Sequence, residues 1–536
     1  MPPFALRRLK SNGAFPFTSI PRDSFRLFRL LPSAEPYAAI QCEIVISSLE
    51  SEPAVPSYEA ISYTWANPVL VWDWISVNNN GRLRIPKNLL DALISLRLKD
   101  QERLMWADAI CINFDDAEEC NYQISIMREI FGNAEVVCAW LCNENSRTDM
   151  ALDLIQRLSK YDSVGIALSS NYDEDWQAVD ELFSLDWFHR VWVVQEAAVA
   201  CSITAYCGSR AISWSDIEAC VDLAKYARQV LDSHQHLPDL NKTRLVDIIR
   251  GIYRRDELGK ILEPLLSTEE LIVSTPHLKS TNPRDRIYAL LPLANDKPIA
   301  TDIQSTASAG TALTEEVSKI SIRCDYRKPV AEVFTDFIRF AITQSGSLDI
   351  IFKPWAPPDH NLPAWICTSD RLTWQHPFAS FSLQQLAYAT SGNSKVRDGW
   401  SIEVDNLHVA GVKVDQLRVV QESAMEDNIP FEWFEWILRR GDEQLKSFCH
   451  TLVAGRTMHG NQFPLYYFKI LSSFMASGKF SPTSFNLASL VQENPGSVQN
   501  EFWRQVYKVT RNRALAITSK GRLGLVPAQA KPGDCE

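Results

Sequence analysis

At 536 residues the chain is too long for one ordinary core, and its 46% hydrophobic content, including 16 tryptophans, excludes global disorder, so roughly two to four globular domains are expected. The net charge of -11, from 65 acids against 54 bases, argues against a general electrostatic hold on nucleic acid or anionic lipid. The 12 cysteines form no Cys-x-x-Cys pair and have no His at zinc-ligand spacing, so they are read as reduced thiols and no metal is assigned.

The first 22 residues hold no acid and carry Arg7, Arg8, Lys10 and Arg22, and residues 1–20 are taken as a ragged N-terminus. No window approaches the roughly 18 apolar residues of a membrane span, which makes the cytoplasm the expected address. Phe25–Leu31 and Ile40–Ile46 read as strands joined by a turn over Pro32–Pro36. Ile75 and Val77 alternate, Asn79-Asn80-Gly81 tolerates positive φ, and Leu83 and Ile85 alternate again, which predicts a hairpin. From Pro86 and Asn88 onward, Leu89, Leu93 and Leu96 fall on one helical stripe.

The central passage carries the most information. Leu104–Ala107 reads as a buried strand, Asp108–Asn113 as the loop leaving its carboxyl end, and Ala134–Leu141 as the next strand. Between them Ile124, Ile126, Met127, Ile130 and Phe131 give one helix a wide apolar face, with Gly132-Asn133 as its stop. Strand, helix and strand with short joins predict a right-handed crossover in a parallel sheet, whose ligands usually lie beyond the carboxyl ends of the strands. Asp108 is placed there. Helical stripes follow over Met150–Leu158 and Trp176–Phe183, and Asp186–Ala200 is taken as one further helix. Ser202–Cys207 reads as a strand, and Ser213-Trp214-Ser215-Asp216 as a capping box opening another helix. Thr301–Thr314, rich in Ser, Thr, Ala and Gly, is expected to be a flexible insertion, and Phe431–Arg440, closed by Gly441, an amphipathic helix. No P-loop, Gly-x-Gly-x-x-Gly, Gly-x-Ser-x-Gly or His-Glu-x-x-His occurs.

Three passages, in order, resemble the pattern of the fungal heterokaryon-incompatibility (HET) family. Tyr58-Glu59-Ala60-Ile61-Ser62-Tyr63-Thr64-Trp65 is similar to its Tyr-x-Ala-Leu-Ser-Tyr-x-Trp-Gly, and Trp106-Ala107-Asp108-Ala109-Ile110-Cys111-Ile112-Asn113 to its Trp-Ile-Asp-Ala-x-Cys-Ile-Asn-Gln. Arg190-Val191-Trp192-Val193-Val194-Gln195-Glu196 is similar to its Arg-x-Trp-x-x-Gln-Glu. More thinly, Pro283–Leu291 and Thr518–Asp534 resemble segments that follow the domain, and because relatives usually continue past that Gly-Asp, truncation near Glu536 is an expectation. Ala66, Phe114 and Cys120 depart from the pattern, where Gly, Gln and Arg are usual. A lost Gly shifts a tight turn, and a lost Gln removes a polar contact.

The resemblance implies an α/β fold: a HET domain over residues 21–215 with a mostly parallel sheet, similar to the Toll/interleukin-receptor (TIR) fold and flanked by helices. A helical continuation (216–300), the insertion (301–318) and a mixed, mainly helical C-terminal region (319–536) would follow. It also implies non-self recognition leading to programmed cell death, through an unknown protein partner and with a homo-oligomer as a candidate state. Some TIR enzymes cleave the nicotinamide–ribose bond of NAD with a glutamate four residues after a Trp. Trp192 and Glu196 have that spacing, which makes Glu196 the candidate catalytic residue and Asp108, Trp192 and Arg190 candidate ligand-binding residues, with NAD as a candidate substrate and no required cofactor. The structural alternatives stand beside these roles: core packing for Trp65, Trp106 and Trp192, an ion pair between Glu196 and Arg190, and a loop hydrogen bond for Asp108. Cys111 lacks an identifiable base, and His189 reads as structural. A non-enzymatic regulatory or scaffold protein is the third reading.

Overall fold

The structure is a computed structural model. It describes residues 15–534 except 22, 50–54, 66–70, 79–80, 160–172, 231–236, 240, 258, 297–321, 359–360, 370–395, 397–399, 404, 410, 412, 425–427, 439–441, 458–460, 477–484 and 493–496. The Asn79-Asn80 turn, Ala66, the Thr301–Thr314 segment and Gly441 therefore lie outside the described residues. The chain divides into two compact units, Met1–Gln344 and Ser345–Glu536.

The first unit is built on a nine-stranded sheet. Its strands are β1 (Ser24–Leu30), β2 (Gln41–Ser48), β3 (Glu59–Ser62), β4 (Trp72–Val77), β5 (Gly81–Pro86), β6 (Arg103–Trp106), β7 (Val136–Cys142), β8 (Ile203–Cys207) and β9 (Arg210–Ser213), in the spatial order β5-β4-β2-β1-β6-β3-β7-β8-β9. The run β6-β3-β7-β8 is parallel. Antiparallel pairing adds β1 to both β2 and β6, and closes the β4–β5 and β8–β9 hairpins. The β4–β5 register sets Ile75 opposite Leu83, so that Ile75, Val77, Leu83 and Ile85 are all buried, as period-two alternation requires. By contrast β7, Val-Val-Cys-Ala-Trp-Leu-Cys, is apolar throughout because a central parallel strand is covered on both faces.

The predicted parallel relation of β6 and β7 holds, but they are not neighbours: β3 lies between them and pairs with each. Read from β3, the chain goes to β4, β5 and then β6, all on one side, and then to β7 and β8 on the other. That reversal is a topological switch, and in such sheets ligands bind outside the carboxyl ends of the strands beside it.

Three predicted elements differ locally. Asp108–Asn113 is not simply a loop, because Asp108–Cys111 forms a single helical turn with its Ala109, Ile110 and Cys111 buried. The helix before β7 is two helices, Ala117–Ser125 and Met127–Asn133, broken at Ile126 (φ -101°, ψ 4°). The Asp186–Ala200 helix is likewise a 3-10 turn, Asp186–His189, and an α-helix, Val191–Ala198, parted by extended Arg190 (φ -92°, ψ 134°). The break has a tertiary cause: on either side of Arg190 the backbone pairs with Lys279, Val191 N donating to its carbonyl and its N–H donating to the His189 carbonyl. Ser213 does cap the Trp214–Val230 helix, accepting from the Asp216 amide at 3.2 Å.

The second unit is mainly helical. Phe431–Leu438, Asp442–Leu452, Leu465–Ala476 and Val498–Thr510 enclose a core that includes Trp433, Phe434, Phe448, Tyr467 and Phe502. A three-stranded antiparallel sheet, Leu417–Ser423, Arg513–Thr518 and Leu523–Pro527, contributes Leu515 to that core. Among the described residues no helix is long and apolar enough to cross a membrane.

Candidate functional site

At the carboxyl end of β3 the chain presents Ser62 and then Tyr63, and the two side chains reach two different carboxylates. Ser62 Oγ donates to Glu196 Oε2 and itself accepts from Trp187 Nε1 at 2.8 Å. This makes a buried relay, indole to hydroxyl to carboxylate. Tyr63 Oη donates to Asp108 Oδ1 at 2.7 Å, and Trp65 Nε1 donates to Asp108 Oδ2 at 3.0 Å. Arg190 joins the two halves, its guanidinium donating to the Tyr63 carbonyl at 2.5 Å. Asp108 also accepts from the Ala109 amide at 2.6 Å. Three donors thus occupy most of the roughly four acceptor positions of a carboxylate.

Glu196 is only 7% exposed. Burial pushes its carboxyl up to about 6, aided by the Asp108 charge and opposed by Arg190 and the Ser62 hydrogen bond. An acid titrating there can give or take a proton near neutral pH, which is the property acid–base catalysis uses. Burial and then the Asp108 carboxylate hold the Tyr63 phenol well above its usual range, so it stays a hydrogen-bond donor. Around Asp108 the aromatic surface continues. The Trp65 ring stacks on Tyr63 at 6.2 Å and meets Trp72 and Phe114 edge-on at 6.0 and 5.9 Å. Phe114 thereby packs against the indole that donates to Asp108.

Three supports hold these groups. Asn88 donates to both the carbonyl and the hydroxyl of Thr64 at 2.8 Å, and accepts from Trp140 Nε1 at 3.0 Å, fixing the chain after β3. Arg26 of β1 forms a buried ion pair with Glu119 and donates to the Cys111 carbonyl at 3.0 Å, while Glu119 accepts from the Asn113 amide at 2.8 Å. The turn that carries Asp108 is thereby clamped at its far end. Gln195, wholly buried, has its amide oriented to donate to the Ala289 carbonyl at 2.9 Å and accept from the Arg128 amide at 2.8 Å. That links the Val191–Ala198 helix to the Asp285–Tyr288 helix, whose Arg286 donates to the carbonyls of Thr275, Pro276 and Leu278.

Of the residues singled out from sequence, Glu196, Asp108 and Arg190 meet here through Ser62 and Tyr63. Trp192 sits on the same helix as Glu196, but its ring is 2% exposed and its Nε1 has no hydrogen-bond partner. It packs in the core. The alternative reading of an ion pair between Glu196 and Arg190 is not met, because the backbone break at Arg190 turns its guanidinium to the Tyr63 carbonyl instead. Cys111 is fully buried and burial pushes its thiol up, the opposite of an activated nucleophile. His189 is half-buried and burial lowers it. Sequence reasoning missed Ser62, Tyr63 and Trp187 as a connected set. Two hydroxyls in succession at the carboxyl end of a buried strand were the available signal.

Residues 58–196 match the family described as heterokaryon incompatibility protein (HET). The chain carries a HET domain. The match opens at Tyr58, whose phenol donates to the Ile130 carbonyl, and closes on Glu196 itself. This HET-domain chain is similar to "Heterokaryon incompatibility protein 6, OR allele" of Neurospora crassa, at 25% identity over 471 residues, covering 73% of this chain and 64% of that protein. The alignment thus spans less than two thirds of that relative's length. No solved structure matches the chain.

Proposed function

We propose that this HET-domain chain acts in heterokaryon incompatibility: in the cytoplasm of a fungal cell it senses a non-self protein partner and triggers the death of that cell. The observation that carries the reading is the convergence of all three motif passages on one site, where Ser62 and Tyr63 from the first tie Asp108 from the second to Glu196 and Arg190 from the third. Similarity to a relative named for this role, over 73% of the chain, supports it. Induced expression in a fungal host carrying an incompatible partner should arrest growth and kill the cells. Undisturbed growth with the folded protein present would overturn the reading.

For the chemistry of the site we infer cleavage of the nicotinamide–ribose bond of NAD. The carbon–nitrogen bond breaks with its electron pair leaving on nicotinamide, and water adds to the ribose carbon. Glu196 would steady the oxocarbenium-like transition state. Its supports are its place beside the switch in the sheet, a carboxyl raised by burial to about 6, and the Trp192–Glu196 spacing, which resembles that of some TIR enzymes. Purified full-length protein incubated with NAD should release nicotinamide, and Glu196→Gln should abolish the release. Release unaffected by that substitution, or none at any protein concentration, sinks the idea. A non-enzymatic scaffold is the second reading, favoured by one observation: three protein donors already take up most of the acceptor positions of Asp108.

A further inference from the structure

Cys142 and Cys207 lie at the carboxyl ends of the adjacent parallel strands β7 and β8, on the same edge of the sheet as the site. Regular pairing would not bring them together. From Val137↔Ile203 to Trp140↔Tyr206 the register advances one residue for one, and continued regularly it would set Leu141 opposite Cys207. A register shift after Trp140 instead places Cys142 opposite Cys207. A bulge of this kind re-aims a side chain. The Gly208 amide then donates to the Cys142 carbonyl at 2.9 Å, so the ladder holds up to and past the pair.

Register partners on neighbouring strands are separated by about 4.8 Å, inside the roughly 4.4–6.8 Å between Cα atoms that a disulfide spans. Both thiols are free, Cys142 half-buried and Cys207 buried. A half-buried thiol backed by a second thiol is the arrangement in which an oxidised sulfur finds its resolving partner. We propose that Cys142 and Cys207 are a redox modification site, a dithiol that a peroxide closes into an intramolecular disulfide joining the ends of β7 and β8. The Cys142 sulfur attacks the peroxide, forming an S–O bond as the O–O bond breaks and one water leaves. Cys207 then attacks that sulfur, the S–S bond forms, the S–O bond breaks and a second water leaves. Two thiols are oxidised and one peroxide is reduced to two waters. The electrostatics act in the same direction: the neighbouring Cys207 lowers the Cys142 thiol against the opposing effect of burial, while Cys142 and burial raise that of Cys207.

The test uses the folded full-length protein treated with hydrogen peroxide, freed of the peroxide, then unfolded in denaturant containing excess alkylating agent so that buried thiols are capped too, digested without reductant and mapped by mass spectrometry. The expected result is a linked peptide pair holding Cys142 and Cys207, lost on dithiothreitol treatment and absent from Cys142→Ser and from Cys207→Ser. In Cys207→Ser, Cys142 should instead accumulate as sulfinic or sulfonic acid. Peroxide-treated native protein in which both thiols remain alkylatable overturns the proposal, as does linkage of Cys142 to any other cysteine. Because the native protein alone decides between these outcomes, a serine variant that failed to fold would not rescue it.

Discussion

Glu196→Gln should make the protein more stable at neutral pH. The folded carboxyl holds its proton up to about 6, against an ordinary 4.5, so over that interval the native state binds more protons than the unfolded chain. Stability from this group is therefore fully present below about pH 4.5 and is lost as the pH rises through about 6. At about 1.4 kcal/mol per pKa unit, the loss amounts to about 2 kcal/mol. Glutamine keeps the shape of the neutral acid and an oxygen to accept from Ser62, but it never ionises in its buried position. Urea unfolding of both full-length proteins gives the comparison, with the difference in midpoint followed from about pH 4.5 to about pH 7.5. The variant should match the parent at the acid end and exceed it by about 2 kcal/mol at the other. A difference that does not change with pH would refute the assignment of a raised carboxyl, and so would a variant that is less stable at about pH 7.5.

Ser62→Ala should cost about 1–3 kcal/mol in urea unfolding, since it strands the Trp187 indole N–H and removes the hydrogen bond that favours ionised Glu196. The pH dependence attributed to Glu196 should steepen in that variant, and an unchanged profile would disprove the relay. Asp108→Asn leaves a single accepting oxygen for Tyr63 Oη, Trp65 Nε1 and the Ala109 amide, with an expected cost of about 1–3 kcal/mol and an altered tryptophan emission from Trp65. Arg26→Met leaves Glu119 buried without its partner and should destabilise by about 3–5 kcal/mol, and the double variant with Glu119→Leu should recover most of the loss. If the double variant is as unstable as the single, the ion pair is not the source of the effect.

The parts of the fold that were legible in the sequence are those set by local periodicity. Ile75, Val77, Leu83 and Ile85 could alternate only as a half-buried hairpin, and the apolar run of β7 could only be a covered strand. The breaks at Ile126 and Arg190 were not legible, because both interrupt sequences of adequate helical pattern. The second is imposed by pairing with Lys279, about ninety residues away in the chain. The place of β1 was hidden for a similar reason: nothing local states that an early strand sits between β2 and β6. At the site, the carboxylates stood out by residue type and motif. Ser62 and Trp187 did not, since their roles exist only once β3 and the Asp186–His189 turn are packed together.

The Gln195 bridge bears on where such a domain can be cut. The residues that define the family end at Glu196, yet the amide one position earlier is satisfied by Ala289, far downstream, and by Arg128. The sheet also takes β1 and β2 from before residue 58, and β8 and β9 from after residue 196. A fragment trimmed to the recognisable segment would open the sheet at β6 and beside β7, and would leave the buried Gln195 amide N–H without the Ala289 carbonyl that accepts it. The recognisable stretch is a signature rather than a portable part, and a graft or an expressed piece intended to keep its shape has to carry β1 and β2 before it, β8 and β9 after it, and the segment that holds Ala289.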